Sequence, residues 1–274
     1  MFNPGRLVMK PLINDALWER VHPLLPPRPK RRFRFPGRKP LDDRKVLTGI
    51  LFVLKTGIAW DDLPADLGCG CGKTCRYYLQ AWHEAGVWLK LHTLLLAELN
   101  GADQIDWRRA IIDASFAKAP EGGEDTGPNP TDRSKSGSKH HVMTDAQGIP
   151  LSATVTAANV NEVTQTLQVL TKMPAVGGKP GPKRQTPERL QGDRGYDSEP
   201  LRKALRWLGI TPVLAARSTQ HGSGLGVHRW FVERTISWLH AFGRLRRRLD
   251  RRTEIQEAFL RLASSIICLR FLTT

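Results

Sequence analysis

The chain of 274 residues has little cysteine, little acid and no long apolar run. Four cysteines do not make the disulfide framework of a secreted mini-domain, and a chain this long buries a core without one. No apolar stretch approaches the roughly 18 residues of a membrane helix; the best, Ile50–Leu54, is cut by Lys55. Arg6, Lys10 and Asp15 stand where an apolar signal core would be, so nothing marks secretion. There is no internal repeat and no long low-complexity stretch. The glycine-rich run Gly222–Gly226 (GSGLG) lacks the Lys and Ser/Thr of a phosphate loop. These absences leave a bacterial-type cytosolic protein with no membrane partner. An apolar fraction of 40% and eight Trp make it a folded one.

Basic residues are plentiful: 42 Lys+Arg against 26 Asp+Glu, a net charge of +16. The excess sits at the two ends. Residues 1–50 carry a net +8 and residues 201–274 a net +10, around a middle of −2. Two basic flanks suit a polyanion gripped from both sides, and nucleic acid is the natural candidate.

Residues 12–25 read as a short helix capped by Asn14 or Asp15. Residues 26–40 form a Pro-broken basic linker, in which Phe33 and Phe35 either stack on bases or anchor the strand. Helices follow at 42–56, at 75–84 behind Thr74, and at 86–99. Helix, turn and a short helix bearing Arg76, Tyr77 and Gln80 resemble a helix-turn-helix, although any helical bundle has such turns. From Trp107 the texture changes. Arg109–Ser115 reads as a buried strand, His140–Thr144 and Leu151–Thr156 as a hairpin, 161–172 as a helix, and Arg189–Gly192 as a strand. A helix from Ser198, a strand at 210–215 and helices at 228–249 and 253–272 complete the chain. The expected fold is α/β: an all-α, helix-turn-helix-like region (residues 1–100), then a mixed sheet covered by helices (107–274). An RNase H-like sheet fits this pattern, and other α/β folds remain open.

Three acids stand out. Asp113 lies inside an apolar strand, where a carboxylate is costly unless paired, hydrogen-bonded or bound to metal. Asp193 follows a strand, where ligands collect in open α/β sheets. Glu233 lies on a helix between Val232 and Trp238. Converging carboxylates can hold the two divalent ions of phosphodiester cleavage, yet each alone could be an ion-paired, turn-capping or i,i+4 residue. Asp145, Asp197 and Glu199 fit turn and helix-start roles better. The spacing of Cys69, Cys71, Cys75 and His83 departs from that of structural zinc, so small core thiols are the better reading. Lys139 and His140 abut the hairpin and suit phosphate contact or the end of a strand. Arg244, Arg246, Arg247, Arg248, Arg251 and Arg252 form a dense cluster able to bind backbone phosphates.

WRRAIIDAS, GPNPTDRSKSGSKHHVMTDAQGIPLS, GDRGYDSEP and HGSGLGVHRWFVERTISWLHAFGRLRRR together resemble bacterial insertion-sequence transposases of the DDE type, most closely the IS-five-type group. LPADLGCGCGKTCRYYLQAWHEAGVWLKLH resembles that group's N-terminal region, and the likeness runs from about residue 11 to 272. It implies an RNase H-like catalytic domain, with Asp113, Asp193 and Glu233 as catalytic and metal-binding acids. Two Mg²⁺, with Mn²⁺ able to substitute, would support cleavage at the element's ends and 3′-OH transfer into target DNA. Arg229, four residues before Glu233, and the 244–252 cluster would clamp phosphates. The group's Tyr and Lys positions are here Gly226 and His240. Residues 41–85 would read the terminal inverted repeats of double-stranded DNA. Two paired ends imply a homodimer on DNA, in the cytoplasm and on the nucleoid. The alternatives are a helix-turn-helix DNA-binding protein without catalysis, and a metal-dependent nuclease that cuts without joining.

Overall fold

A computed structural model describes residues 13–28, 33–35, 39–217 and 226–273. Residues 222–225 of the glycine-rich run, and 29–32 and 36–38 of the basic linker, lie outside these. Phe33 and Phe35 stand in solvent and anchor nothing.

Four helices come first. Asn14 caps α1 (Asp15–Val21) by accepting from the Leu17 N–H, and a 3₁₀ turn over His22–Leu24 ends it. Asp42 caps α2 (Asp43–Thr56) in the same way; α2 stops at Gly57, whose φ of 82° is the left-handed conformation glycine adopts freely. The helix expected behind Thr74 starts earlier. The N–H groups of Thr74 and Cys75 both reach Cys71 O, so α3 spans Gly72–Glu84. Its start is a close backbone approach: a Cβ at Gly72 would lie 1.8 Å from Trp60 O. Gly72→Ala should therefore destabilise the chain by more than about 3 kcal/mol in urea unfolding. Gly177→Ala, with nothing nearer than Lys183 Cγ at 4.0 Å, is the neutral control. α4 (Val87–Gly101) is apolar on most sides and buries Trp88, Leu91, Leu95, Leu96 and Leu99.

The sheet forms from β1 (Ala110–Lys118), β2 (Gly127–Pro128), β3 (Ser136–Asp145), β4 (Pro150–Ala157), β5 (Arg189–Gly192) and β6 (Thr211–Leu214). β1 and β4 pair antiparallel with opposite edges of β3, while β5 runs parallel to β1 and β6 parallel to β5. The two-residue β2 shares the edge of β3 used by β4. The order β4–β3–β1–β5–β6 is that of an RNase H-like sheet. The tight β3–β4 turn is held by Asp145, whose carboxylate accepts from the N–H groups of Asp106, Gln147 and Ile149. Asp145 is a turn residue, in line with the plain reading of its position. α5 (Glu162–Thr171) crosses from β4, and α6 (Glu199–Trp207) links β5 to β6.

The single helix expected over 228–249 is broken. α7 (Gly226–His240) ends, α8 (Gly243–Arg246) adds one turn, and the chain then extends. The cause is distant in sequence: the Arg248 N–H bonds to Lys118 O at 2.8 Å, docking residues 247–248 beside the end of β1. α9 (Thr253–Thr273) closes the fold and packs against α3, α4 and β4.

The helical region and the sheet region share one continuous core. They also meet backbone to backbone, because a Cβ on Gly57 would lie 2.9 Å from Gly243 C, and one on Gly243 would lie 2.6 Å from Thr56 O. A buried polar cluster sits nearby. Asp250 accepts from Trp60 Nε1 at 3.1 Å and faces Arg76 and Arg244, each at 3.4 Å.

Candidate active site

Three elements bring Asp113, Asp193 and Glu233 together. The parallel pairing of Ala110 with Leu190 and of Ile111 with Gln191 carries forward to set Asp113 level with Asp193. Asp193 follows the last residue of β5 and caps a 3₁₀ turn (Arg194–Tyr196), its Oδ1 accepting from the Gly195 N–H at 2.8 Å. The ring of Tyr196 lies over Gly192, where a Cβ would sit 3.0 Å from it. α7 lies across β1 and β3, tied to the β3–β4 turn by Thr235 Oγ1 donating to Gly148 O and Arg234 Nη2 donating to Gln147 O. That placement aims Arg229 and Glu233 at the two aspartates.

Arg229 joins the three acids. Its Nη2 lies 3.5 Å from Asp113 Oδ2, its Nη1 3.3 Å from Asp193 Oδ2, and its Nε 3.0 Å from Glu233 Oε1. Each aspartate keeps its other oxygen on a backbone N–H, Asp113 with Ala114 and Asp193 with Gly195. Burial pushes the Asp113 carboxyl up to about 6, against the pull of the Ala114 N–H and Arg229. Burial also works against the guanidinium charge, but the three carboxylates outweigh it and hold Arg229 above its usual value. Tyr196 is fully buried, its hydroxyl has no hydrogen-bond partner among the described residues, and burial followed by the charges of Asp113, Glu162 and Asp193 raises it well above the phenol range.

The expected phosphate ligands divide by burial. Arg244 and Arg248 are each 1% exposed, so the expectation that they bind DNA is corrected. Arg248 Nη1 donates to Ser138 Oγ and its Nε to Asp250 O, while Arg244 lies beside the stacked rings of Trp60 and Phe259 and next to Asp250. Lys139 and His140 are corrected in the same way. Lys139 is 5% exposed, donates to Val160 O and pairs with Glu162 at 3.1 Å. His140 is wholly buried against Gln256, and burial lowers it to about 3, which keeps it uncharged. Arg246, Arg247, Arg251 and Arg252 are exposed. Arg76 is partly exposed, and Asp250 is its ion-pair partner. Cys69 and Cys75 pack on Gly49, as core thiols do. Among the described residues, no group of three or more His, Cys, Asp and Glu stands close enough to hold a metal ion, because the guanidinium spaces the three acids. A cleft of about 790 Å³ bounded by Trp107, Arg108 and Arg184 lies at the opposite ends of β1 and β5.

The family of transposase DDE domains matches residues 108–268, and the transposases of the IS4/5 family match residues 13–92. The chain belongs to the DDE transposases of insertion sequences. A transposase of insertion sequence element IS402 from Burkholderia cepacia is 54% identical over 174 residues, 63% of this chain and 81% of its own. An uncharacterised 16.2 kDa protein of insertion element IS402, from the same organism, is 54% identical over 121 residues, 44% of this chain and 82% of its own. A solved pre-cleavage Mos1 transpososome is 10% identical, with 86% of this chain and 80% of that one covered, at a TM-score of 0.27. That last likeness is too distant to carry an argument. This transposase is thus an enzyme that binds DNA, cleaves and transfers its strands, and depends on a divalent metal. No helix of the described residues is long and apolar enough to cross a membrane.

Sequence reasoning passed over Glu162, Tyr196 and Asp250. Tyr196 stands inside the GDRGYDS motif and Asp250 directly follows the arginine run, so both had a signal; Glu162 had none beyond its place at a helix start.

Proposed function

We propose that Asp113, Asp193 and Glu233 are the catalytic acids of this transposase and hold its metal as a pair of Mg²⁺ ions, which Mn²⁺ can replace. The observation that carries this reading is Arg229: one guanidinium within 3.5 Å of carboxylates from three separate elements. Three acids that already share a cation, all with hard oxygen donors, and an unpartnered buried hydroxyl beside them fit such ions. Bound there, the ions would activate the attacking oxygen and stabilise the leaving one during end cleavage and 3′-OH transfer.

The chain's own residues supply the rest. Asp113 and Asp193 are held from behind by backbone N–H groups, leaving their Oδ2 atoms forward. With those acids holding ions, Arg229 would be free to pair with a DNA phosphate in their place. Exposed Arg246, Arg247, Arg251 and Arg252 hold backbone phosphates beyond it. α2 and α3 read the terminal inverted repeats, with Lys73, Tyr77 and Gln80 outward on α3 while Arg76 braces Asp250. Pairing of two ends calls for a homodimer on DNA, which places the enzyme in the cytoplasm on the nucleoid.

The test uses a labelled duplex carrying the element's own end and a target plasmid. In Mg²⁺ the wild type should release 3′-OH ends and join them to the plasmid, and Asp193→Ala should do neither while still binding the duplex. Cleavage by Asp193→Ala at the wild-type rate overturns the assignment. Cleavage without joining by the wild type moves it to a nuclease.

A further inference from the structure

The Tyr196 hydroxyl is an anomaly as the site stands. A buried polar group without a partner costs stability, and phenylalanine would pack over Gly192 equally well. The hydroxyl is not remote from the chemistry. Tyr196 is three residues beyond Asp193, on the turn that Asp193 caps. The neighbouring charges that act on it are those of Asp113, Glu162, Asp193 and Arg229. Glu162 brings a fourth carboxylate to this corner: a Cβ at Gly195 would lie 2.8 Å from Glu162 Oε2 and 2.9 Å from Asp193 Oδ1. Lys139 balances Glu162 from below, at 3.1 Å. Ionised carboxylates only accept hydrogen bonds, so among these groups the phenol is a neutral donor in a ring of acceptors. It finds none of them while Asp113 and Asp193 are turned towards Arg229 and their own backbone N–H groups.

We propose that Tyr196 is a positioning residue: when a divalent cation replaces the Arg229 guanidinium, the buried hydroxyl donates to the regrouped carboxylates and fixes how they face the cation. This rests on the assignment of the three acids given above. The hydroxyl does not touch the DNA or the reacting phosphate; it acts through Asp113 and Asp193. A merely structural tyrosine would contribute the same with and without metal, whereas this one contributes only with metal.

Tyr196→Phe removes the one atom at issue. The full chain, without DNA, is titrated with Mn²⁺ by calorimetry and melted with and without Mn²⁺. Metal-free Tyr196→Phe should melt at or above the wild-type temperature, since it loses an unpartnered polar atom. On adding Mn²⁺ the wild type should gain more, and the Mn²⁺ dissociation constant of Tyr196→Phe should be about tenfold higher, the scale of one hydrogen bond to a charged group. Superimposable Mn²⁺ titrations overturn the proposal. So does a metal-free Tyr196→Phe that melts well below wild type, because the hydroxyl would then have a partner in the resting fold. Asp193→Asn is run alongside. If it binds Mn²⁺ as the wild type does, the assignment of the acids fails; if it loses binding while Tyr196→Phe keeps it, only the role of Tyr196 fails.

Discussion

Glu233→Gln should lower Mg²⁺-dependent end cleavage by about 10³-fold or more while leaving the melting temperature within a degree or two of wild type. The two halves of this expectation have different origins. Metal-assisted phosphodiester cleavage draws several kcal/mol of charge stabilisation from its ions, and each 1.4 kcal/mol is a factor of ten in rate. Glutamine keeps the shape but not the charge that holds an ion. The fold, by contrast, asks little of this side chain. It is about half exposed on α7, and among the described residues its ion pair is the i,i+4 contact with Arg229, a kind of pair worth about 0.3–0.5 kcal/mol. Glu233 is therefore a cleaner probe than Asp113, whose buried carboxyl is also part of the strand's packing. End cleavage and melting measured on the same preparation check both halves. Retained cleavage would remove Glu233 from the active site.

Asp250→Ala should produce the largest loss of stability, about 3–5 kcal/mol, through a charge it leaves behind. Arg244 is buried beside the stacked rings of Trp60 and Phe259, with Asp250 as its ion-pair partner at 3.4 Å. Its Nε and Nη1 have no hydrogen-bond partner among the described residues even with Asp250 in place. Burial already lowers the Arg244 pKa, with Asp250 as the main opposing influence. Removing that carboxylate strands a guanidinium in an apolar slot and also orphans the Trp60 indole N–H. Combining Asp250→Ala with Arg244→Met should recover most of the loss, because replacing both members of a buried pair by apolar groups is often neutral. Urea unfolding of the two single variants and the double variant measures the coupling. Additive losses would mean that the pair does not interact.

Local chemistry made much of this legible in advance. Asp113 announces itself because a carboxylate in an Ile-Ile-Asp strand is out of place, and Asp193 because it ends a strand. Parallel pairing of those two strands was enough to bring them level. What sequence could not divide was the arginine run. Arg244 and Arg248 are buried while Arg246 and Arg247 are exposed, and the division depends on where α7 stops and on a hydrogen bond to Lys118, far back in the chain. Lys139 and His140 were opaque for a similar reason. β3 has a strand on each edge and helices against it, so nearly every residue is buried and no polar alternation marks an outer face. Tyr196 and Glu162 matter only through each other's neighbours, which no spacing along the chain reveals.

The contact between Gly57 and Gly243 bears on how such an enzyme can be re-engineered. Two backbones touch there with no room for a side chain on either. The helical half is consequently not an interchangeable cassette. Residues 39–101 grafted from a relative would seat only if the donor offers glycine at the same point and a tryptophan to meet Asp250. On the roles proposed for α3 and the three acids, new end preferences are better sought by altering the outward face of α3 in place, since a mismatch of an ångström at the glycine seam would shift the duplex relative to those carboxylates.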